Sequence, residues 1–159
     1  LVIFAGGDPA VIQDLNLLYN ILSQRVTRMG DVGTGQATKI CNQLIVAANS
    51  ALIAEAVALA GRAGVDTTLL APALANGFAD SKPFQILTPR MAKQVFEPVQ
   101  WKVQTLAKDL NNAVLLAQRC NLHIPVALQA LSQLQAHQEN GYAQQDLATM
   151  IKHVDDVNH

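Results

Sequence analysis

The sequence is poor in charged and aromatic residues. Charged residues make up 14% of its 159 positions, and aromatic residues make up 4%. The formal net charge of −1 gives no electrostatic reason to expect nucleic acid or an anionic membrane as a partner. Half of the chain is hydrophobic and rich in alanine and leucine, which favours close-packed helices over a β-sandwich. The length suits one domain with a proper core.

Patterns typical of a metal site or a covalent nucleophile are also missing. The two cysteines, Cys41 and Cys120, fall on separate predicted helices without CxxC spacing, and we predict that both are reduced core residues. Surface or helix-capping roles are favoured for the histidines, which share no metal-ligand spacing: His123, His137, His153 and His159. The sequence therefore predicts no metal site, and it contains no Gly-x-Ser-x-Gly elbow.

No segment is predicted to cross a membrane. The longest apolar run, residues 44–60, is interrupted by Asn49, Ser50 and Glu55 and is at the short limit for a bilayer span, so we interpret it as a core helix. No basic and apolar leader opens the chain, which starts with a strand-like run at residues 1–5. A start in mid-strand without methionine is typical of a fragment, and we expect a cytoplasmic protein.

The hydrophobic pattern predicts helices over most of the chain. Asp8 and Pro9 form a strong helix start, because aspartate caps a helix and proline fits its first position. A buried strand is predicted at 1–5 and a short extended piece at about 26–29. The predicted helices lie at 9–23, from 36 to 61 or 64, 66–76, 81–95, 99–120, 125–139 and 144–153. We therefore predict an all-α helical bundle around one long central helix, with a short N-terminal β segment.

A polar stripe interrupts the apolar surface of the long predicted helix. At 100° per residue, Lys39, Asn42 and Gln43 fall with Asn49 and Ser50 within about one third of the circumference. Apolar residues cover most of the rest, so we expect this helix to be buried. Because an unpaired buried ammonium is costly, Lys39 needs either a carboxylate partner or a polar cleft that receives an anionic ligand.

A glycine loop precedes this stripe. It is not a P-loop, because no Gly-Lys-Ser/Thr follows, and Thr38 breaks the dinucleotide-binding pattern that Gly33 and Gly35 begin. A helix start after such a loop still offers backbone N–H groups to an anion, and Lys39 would strengthen that site. The alternative is a tight turn followed by a lysine whose amine reaches solvent.

A second polar cluster lies on the helix predicted over 99–120. Lys108, Asn111 and Asn112 are spaced i, i+3 and i+4, so they share one face of the helix. Local physics alone favours a solvated face for this cluster.

Taken together, the two lysine clusters resemble the motifs of the β-hydroxyacid dehydrogenase family. The motifs are Gly33-x-Gly35-x-x-x-Lys39-x-x-Asn42-Gln43 and, sixty-nine residues after the first lysine, Lys108-Asp109-Leu110. This family includes 3-hydroxyisobutyrate dehydrogenase and tartronate semialdehyde (2-hydroxy-3-oxopropionate) reductase. The resemblance covers essentially the whole chain and implies a helical fold similar to the C-terminal domain of 6-phosphogluconate dehydrogenase.

The resemblance implies an NAD(P)-dependent oxidoreductase that interconverts a small β-hydroxyacid and its aldehyde or keto form. Lys39 matches the catalytic lysine of the family, which donates a proton to the carbonyl oxygen as hydride arrives. Asn42 matches a position that binds substrate, and we assign Gln43 and Gly35 to the same substrate site. Many members have asparagine at the position of Gln43, and the asparagine-glutamine pair is similar to the tartronate semialdehyde reductase branch.

Lys108 matches a lysine that reaches the cofactor, and Asp109 is expected to orient it. The cofactor, NAD or NADP, is expected to bind mainly to an N-terminal Rossmann domain that this sequence lacks, together with its Gly-x-Gly-x-x-Gly turn. We interpret residues 1–159 as a single C-terminal helical domain, with 1–7 as the end of the strand that leaves the Rossmann domain. The isolated chain is expected to be inactive and the full-length protein to be an enzyme.

The expected partners are a small hydroxyacid or semialdehyde substrate and further copies of the chain, with no nucleic acid and no membrane. A homodimer or higher oligomer is expected because the apolar content exceeds what the helices need, and because family members associate through this domain. The sequence leaves two alternatives open. One is a non-catalytic helical oligomerisation module that keeps the fold, and the other is a small anion-binding protein that uses the glycine loop.

Overall fold

The computed structural model describes residues 1–156 and shows a mostly helical chain with a short N-terminal β segment, as predicted. The β segment is a two-stranded parallel sheet, a pairing that was not predicted. The prediction for His159 lies outside the described residues. The chain divides into two compact units, Leu1–Gln43 and Leu44–His159. The strands and α-helices are β1 (Val2–Gly6), α1 (Pro9–Asp14), α2 (Asn16–Leu22), β2 (Arg25–Gly30), α3 (Thr34–Arg62), α4 (Leu70–Leu74), α5 (Lys82–Ala92), α6 (Val103–Arg119), α7 (Pro125–His137) and α8 (Met150–Asp156).

The first unit contains a β–α–β arrangement. β1 and β2 pair in parallel, with Val2 opposite Arg25, and α1 and α2 form the crossover that a parallel pair requires. Asp8 starts α1 as predicted, because its Oδ1 accepts a hydrogen bond from Ala10 N at 2.8 Å. The helix predicted over 9–23 is interrupted at Leu15, which ends α1 and precedes α2.

A close approach between two backbones fixes the start of α3 in the first unit. Gly35 is buried, and a Cβ at this position would collide with the carbonyl oxygen of Phe4 in β1. A Cβ on Gly6 would lie 2.6 Å from the carbonyl oxygen of Asp31, and Thr34 Oγ1 donates to that same oxygen at 2.7 Å. Glycine at position 35 is therefore required by the packing of a helix directly on a strand.

α3 is the predicted long helix and has 29 residues. Among residues 1–156 it is the one helix long and apolar enough to cross a bilayer, a property that core helices of soluble proteins share. In the second unit one side of α3 is buried through Ala47, Ser50, Ala51, Ile53, Ala54 and Val57. The large side chains of Ile45, Leu52 and Leu59 are 58%, 62% and 71% exposed. The prediction that the whole helix is buried is therefore wrong, because α3 buries only one side.

The core of the second unit is built from α3 and from the helices that follow it. Its largest fully buried apolar side chains come from α5 to α8 and are Leu87, Met91, Leu110, Leu134, Val103 and Met150. Ser81 caps α5, since its Oγ accepts from Phe84 N at 3.1 Å. A 3₁₀ turn at Thr67–Leu69 precedes α4, a π-helical turn at Gln138–Tyr142 follows α7, and a second 3₁₀ turn at Leu147–Thr149 precedes α8.

Both cysteines are free and exposed, so their predicted core positions are wrong. Cys41 lies on α3 one turn before the exposed Ile45, and Cys120 is the residue at which α6 ends. An apolar helix face and a helix end give the same local hydrophobic pattern whether or not another element covers them.

Candidate functional site

The predicted substrate residues share one face of α3. Gly35, Lys39, Asn42 and Gln43 are spaced i, i+4, i+7 and i+8, which places them on one side of a helix. Lys39 and Asn42 are exposed and Gln43 is half-buried. The Nδ2 of Asn42 donates to the Oε1 of Gln43 at 3.1 Å. An ammonium group and two amide groups therefore stand within little more than one helical turn.

Lys39 does not have the buried environment that its apolar neighbours predicted. Its side chain is exposed, and within residues 1–156 no carboxylate lies at ion-pair distance from it. Water offsets the cost of an exposed charge, so the predicted need for a carboxylate partner does not arise. The ammonium group is accessible to a ligand oxygen. Gly35, in contrast, is buried against β1, and its assignment to the substrate site stays a prediction.

The second predicted cluster lies on α6 in the second unit. The Lys108 side chain is 71% exposed, and its Nζ lies 3.8 Å from Oδ1 of the neighbouring Asp109. Asn111 and Asn112 are exposed as well, so the polar face predicted from their spacing is present. An exposed pair at this distance contributes little to stability. The side chain of Lys108 is thus accessible to an anionic or polar ligand group.

A buried ion pair near the start of α6 was not predicted from the sequence. Arg90 Nε lies 3.4 Å from Asp146 Oδ1, and the two side chains are 12% and 1% exposed. Asp146 also accepts backbone hydrogen bonds from Gln100 N at 2.7 Å and from Ala148 N at 3.0 Å. Arg90 Nη2 donates to the carbonyl oxygen of Pro98 at 2.9 Å. The pair therefore ties the end of α5 to the loop before α6 and to the turn before α8.

The first turn of α6 is capped by a distant part of the chain. Its N-cap residue, Lys102, makes no side-chain capping hydrogen bond. The backbone N–H groups of Val103 and Gln104 donate instead to the carbonyl oxygens of Gln145 and Ala143, at 3.1 and 3.0 Å. The first N–H groups of a helix have no acceptor within that helix, so the segment just before Asp146 caps α6. The only local signal for Asp146 is its own capping position, where its Oδ1 accepts from Ala148 N.

His137 lies in the buried core of the second unit. It is fully buried and stacks on Tyr142 with ring centroids 4.2 Å apart. Thr149 Oγ1 donates to the carbonyl oxygen of Asp146 at 2.7 Å and lies 2.9 Å from His137 Nε2, so Nε2 carries the proton and donates to Thr149. Burial, and then the neighbouring His153, lowers the pKa of His137 to about 4. The predicted surface or capping roles of His137 and His153 are wrong, since both side chains are buried.

An apolar groove of about 430 Å³ is lined by α3 and α7 in the second unit. Its lining is mostly alanine, leucine, valine and proline: Ala48, Ala51, Leu52, Pro125, Val126 and Ala130, with Asn49, Glu55, Gln129 and Gln133. Glu55 Oε1 accepts from Gln133 Nε2 at 2.8 Å, so the one carboxylate of the lining already has a partner. The exposed Leu52 joins the groove to the exposed side of α3. This surface suits an apolar partner better than a small charged substrate.

Both lysine clusters fall within the part of the chain that matches a known family. Residues 33–154 match the family model described as NAD-binding of NADP-dependent 3-hydroxyisobutyrate dehydrogenase. The chain belongs to this family. Membership in the 3-hydroxyisobutyrate dehydrogenase family confirms the resemblance drawn from the lysine motifs, and it confirms NAD or NADP as the type of cofactor.

Curated relatives of this chain include other members of the 3-hydroxyisobutyrate dehydrogenase family. The chain is 34% identical over 152 residues to 2-hydroxy-3-oxopropionate reductase from Escherichia coli K12, covering 96% of this chain and 52% of the relative. It is 31% identical over 161 residues to a probable mitochondrial 3-hydroxyisobutyrate dehydrogenase-like protein 1 from Arabidopsis thaliana, covering 99% and 48%. The chain thus spans about half the length of the curated relatives it matches.

A solved structure of the family shows the same fold. The 3-hydroxyisobutyrate dehydrogenase from Salmonella typhimurium superposes with a TM-score of 0.83 at 26% identity, covering 92% of this chain and 52% of that chain. The residues predicted to bind cofactor and substrate therefore lie in a member of an NAD(P)-dependent hydroxyacid dehydrogenase family, and this chain shares its fold with a solved structure of that family.

Proposed function

We propose that this chain is the substrate-binding and catalytic-lysine domain of an NAD(P)-dependent oxidoreductase. Its substrates would be small β-hydroxyacids or their semialdehydes, of the tartronate semialdehyde or 3-hydroxyisobutyrate class. The observation that carries the proposal is the α3 face with Lys39, Asn42 and Gln43, in a chain that matches an NAD-binding dehydrogenase family over residues 33–154. The full-length protein would be the enzyme.

Lys39 would act as the catalytic residue. Negative charge develops on the carbonyl oxygen of the substrate during reduction, and an ammonium group stabilises that charge more in the transition state than in the ground state. Lys39 Nζ would donate its proton to this oxygen and would recover it from the hydroxyl group in the reverse reaction. Its exposed position leaves the ammonium accessible to such an oxygen.

Asn42 and Gln43 would bind the substrate and orient it toward Lys39. Their mutual hydrogen bond of 3.1 Å restrains both side chains, which leaves the second N–H of Asn42 for a substrate carboxylate or hydroxyl group. Glutamine at position 43, where many family members have asparagine, favours tartronate semialdehyde within this substrate class. Gly35 would contribute by allowing α3 to begin directly on β1, so that the polar face is held rigidly.

Lys108 would hold the cofactor from the helical side, with Asp109 beside it. The exposed ammonium group of Lys108 fits a nicotinamide dinucleotide, since it can donate to the anionic or polar groups of that molecule. When bound, the nicotinamide ring supplies or accepts the hydride. The residues of this chain bind, orient and exchange the proton.

Substitution of Lys39 tests this proposal. In the full-length protein, Lys39→Ala is expected to lower kcat by about a thousandfold, because the proton donor and the charge are both lost. Cofactor affinity should stay within about twofold, since the group acts on the substrate. Lys93→Ala removes another exposed lysine and serves as the matched control. Unchanged kcat in Lys39→Ala would show that Lys39 is not catalytic. The isolated 159-residue chain is expected to show no turnover.

A second function is favoured by the exposed apolar side of α3 and by the groove beside it. A non-catalytic oligomerisation module derived from this family would need that surface but would not need Lys39. Such a protein would keep all its properties in Lys39→Ala. Self-association, as a homodimer or a higher homo-oligomer, is compatible with either function and would cover the apolar surface. A cytoplasmic location and the absence of membrane contact stay predictions.

A further inference from the structure

We propose that Asp146 and Arg90 are positioning residues that set cofactor affinity by fixing the helix that carries Lys108. This inference rests on the proposed function, in which Lys108 contacts the cofactor. Neither residue is expected to touch cofactor or substrate. They act on α6 through the loop that enters it, and the buried ion pair between them is 3.4 Å long.

Asp146 controls both segments that meet at the start of α6. Its Oδ2 accepts from Gln100 N at 2.7 Å and from Trp101 N at 3.4 Å, which fixes the loop immediately before the helix. Its Oδ1 accepts from Ala148 N at 3.0 Å. The backbone of the next residue, Leu147, donates to the carbonyl oxygen of Trp101 at 2.8 Å. One buried carboxylate therefore joins the incoming loop to the segment that caps α6.

Exposed side chains repeat this connection at the surface. Lys102 Nζ donates to Gln144 Oε1 at 2.8 Å, and Gln144 Nε2 donates to Gln104 Oε1 at 2.8 Å. Because α6 has no capping side chain of its own, its first turn depends on these contacts with the segment before Asp146. Arg90 completes the arrangement by holding the loop at the carbonyl oxygen of Pro98.

The position of Lys108 is sensitive to this start. Lys108 lies in the second turn of α6, five residues after Val103. A rotation of the helix by about 20° would move a side chain at a radius of about 6 Å by about 2 Å. A displacement of this size breaks a hydrogen bond between Lys108 and the cofactor. The ion pair can therefore affect the cofactor without contacting it.

The test is a double-mutant cycle in the full-length protein with NADH and NADPH as ligands. Asp146→Asn keeps the size of the side chain but replaces one carboxylate oxygen with an NH2 group. This donor would face a backbone N–H, which is also a donor, so one hydrogen bond is lost. We expect the Kd of the preferred cofactor to rise about tenfold, with kcat at saturating cofactor within about twofold, since Lys39 lies on a different helix. In the Lys108→Ala background, Asp146→Asn should raise Kd by less than about twofold, because the group it positions is gone.

Two further variants separate positioning from stability. Arg90→Lys keeps the positive charge, but lysine lacks the planar guanidinium group that contacts both Asp146 and the carbonyl oxygen of Pro98. It should therefore raise Kd less than Asp146→Asn does. This variant also tests the proposal if Asp146→Asn does not fold. Leu134→Ala creates a cavity at a fully buried position of α7 and is the stability control. It should lower Tm without changing Kd.

Three results would overturn the inference. The first is an unchanged Kd in both Asp146→Asn and Arg90→Lys. The second is a rise in Kd that Leu134→Ala reproduces at equal loss of Tm. The third is full additivity of Asp146→Asn with Lys108→Ala. Failure of the proposed function would look different: Lys108→Ala would leave Kd unchanged, or Lys39→Ala would leave kcat unchanged.

Discussion

Acid should destabilise the second unit through His137. The side chain is fully buried, its Nε2–H is used by Thr149, and its Nδ1 is buried without a hydrogen-bond partner among residues 1–156. Protonation would place a second N–H donor and a positive charge at Nδ1, beside His153. The folded protein therefore holds His137 in its neutral form.

The sign and the size follow from the shift in pKa. The pKa of His137 is lowered from 6.5 to about 4 in the folded protein. Because the unfolded chain binds the proton more readily, stability is fully present above pH 6.5 and is lost as the pH falls through the window from 6.5 to 4. The complete shift corresponds to about 3 kcal/mol, and about 2 kcal/mol is already lost at pH 5.

Urea unfolding of the 159-residue chain between pH 7.5 and 4.5 measures this loss, with Trp101, its single tryptophan, as a fluorescence probe within the second unit. His137→Gln keeps a donor for Thr149 but does not titrate, so its stability should change little across the window. His123→Gln, at an exposed position, is the matched control and should keep the wild-type slope. The pKa values of Asp66 and Asp80 are also lowered, from 3.8. Their contribution to stability is present above pH 3.8 and is lost only at lower pH, outside the window of His137. A wild-type stability that is flat from pH 7 to 5, or an equal slope in His137→Gln, would refute this reasoning.

Two predictions concern α3. Gly35→Ala should destabilise the protein by about 1–3 kcal/mol, because the new Cβ would collide with the carbonyl oxygen of Phe4. Gly61→Ala in the same helix is the control: its Cβ would have its nearest contact at 3.6 Å, so the variant should be neutral or stabilising. Chemical denaturation of both variants measures the difference in the free energy of unfolding. Leu52→Glu should reduce self-association by at least about tenfold in light scattering, because it places a charge in the exposed apolar surface. Leu52→Ala, which stays apolar, should have the smaller effect.

Helix starts were predictable where a local side chain determines them. Asp8 and Ser81 cap α1 and α5 at the predicted positions, and α7 begins at Pro125, because these signals act over two or three residues. The start of α6 was predicted at residue 99 but lies at Val103. Its cap comes from carbonyl oxygens of residues 143 and 145, and no local pattern carries that information.

The shared helix face of the proposed site residues was predictable, but its environment was not. The spacing of Lys39, Asn42 and Gln43 placed them on one helix face, as the structure shows. Hydrophobic periodicity then suggested a buried lysine, because α3 is apolar on nearly every side and the pattern does not show which side is covered. Asp146 gave no comparable signal, since its burial depends on Arg90, which is remote in sequence.

In the second unit α3 leaves one side with large apolar residues exposed. Ile45, Leu52 and Leu59 follow Lys39 by 6, 13 and 20 residues, which places them about 120 to 160° around the helix from it. A partner that covers this apolar side would contact the face opposite to the one that α3 buries in the second unit. Burial of three large side chains that are now more than half exposed would stabilise such an assembly by several kcal/mol, at about 25 cal/mol per Å². The apolar character that suggested a buried lysine thus comes in part from exposed residues on the opposite side of the helix.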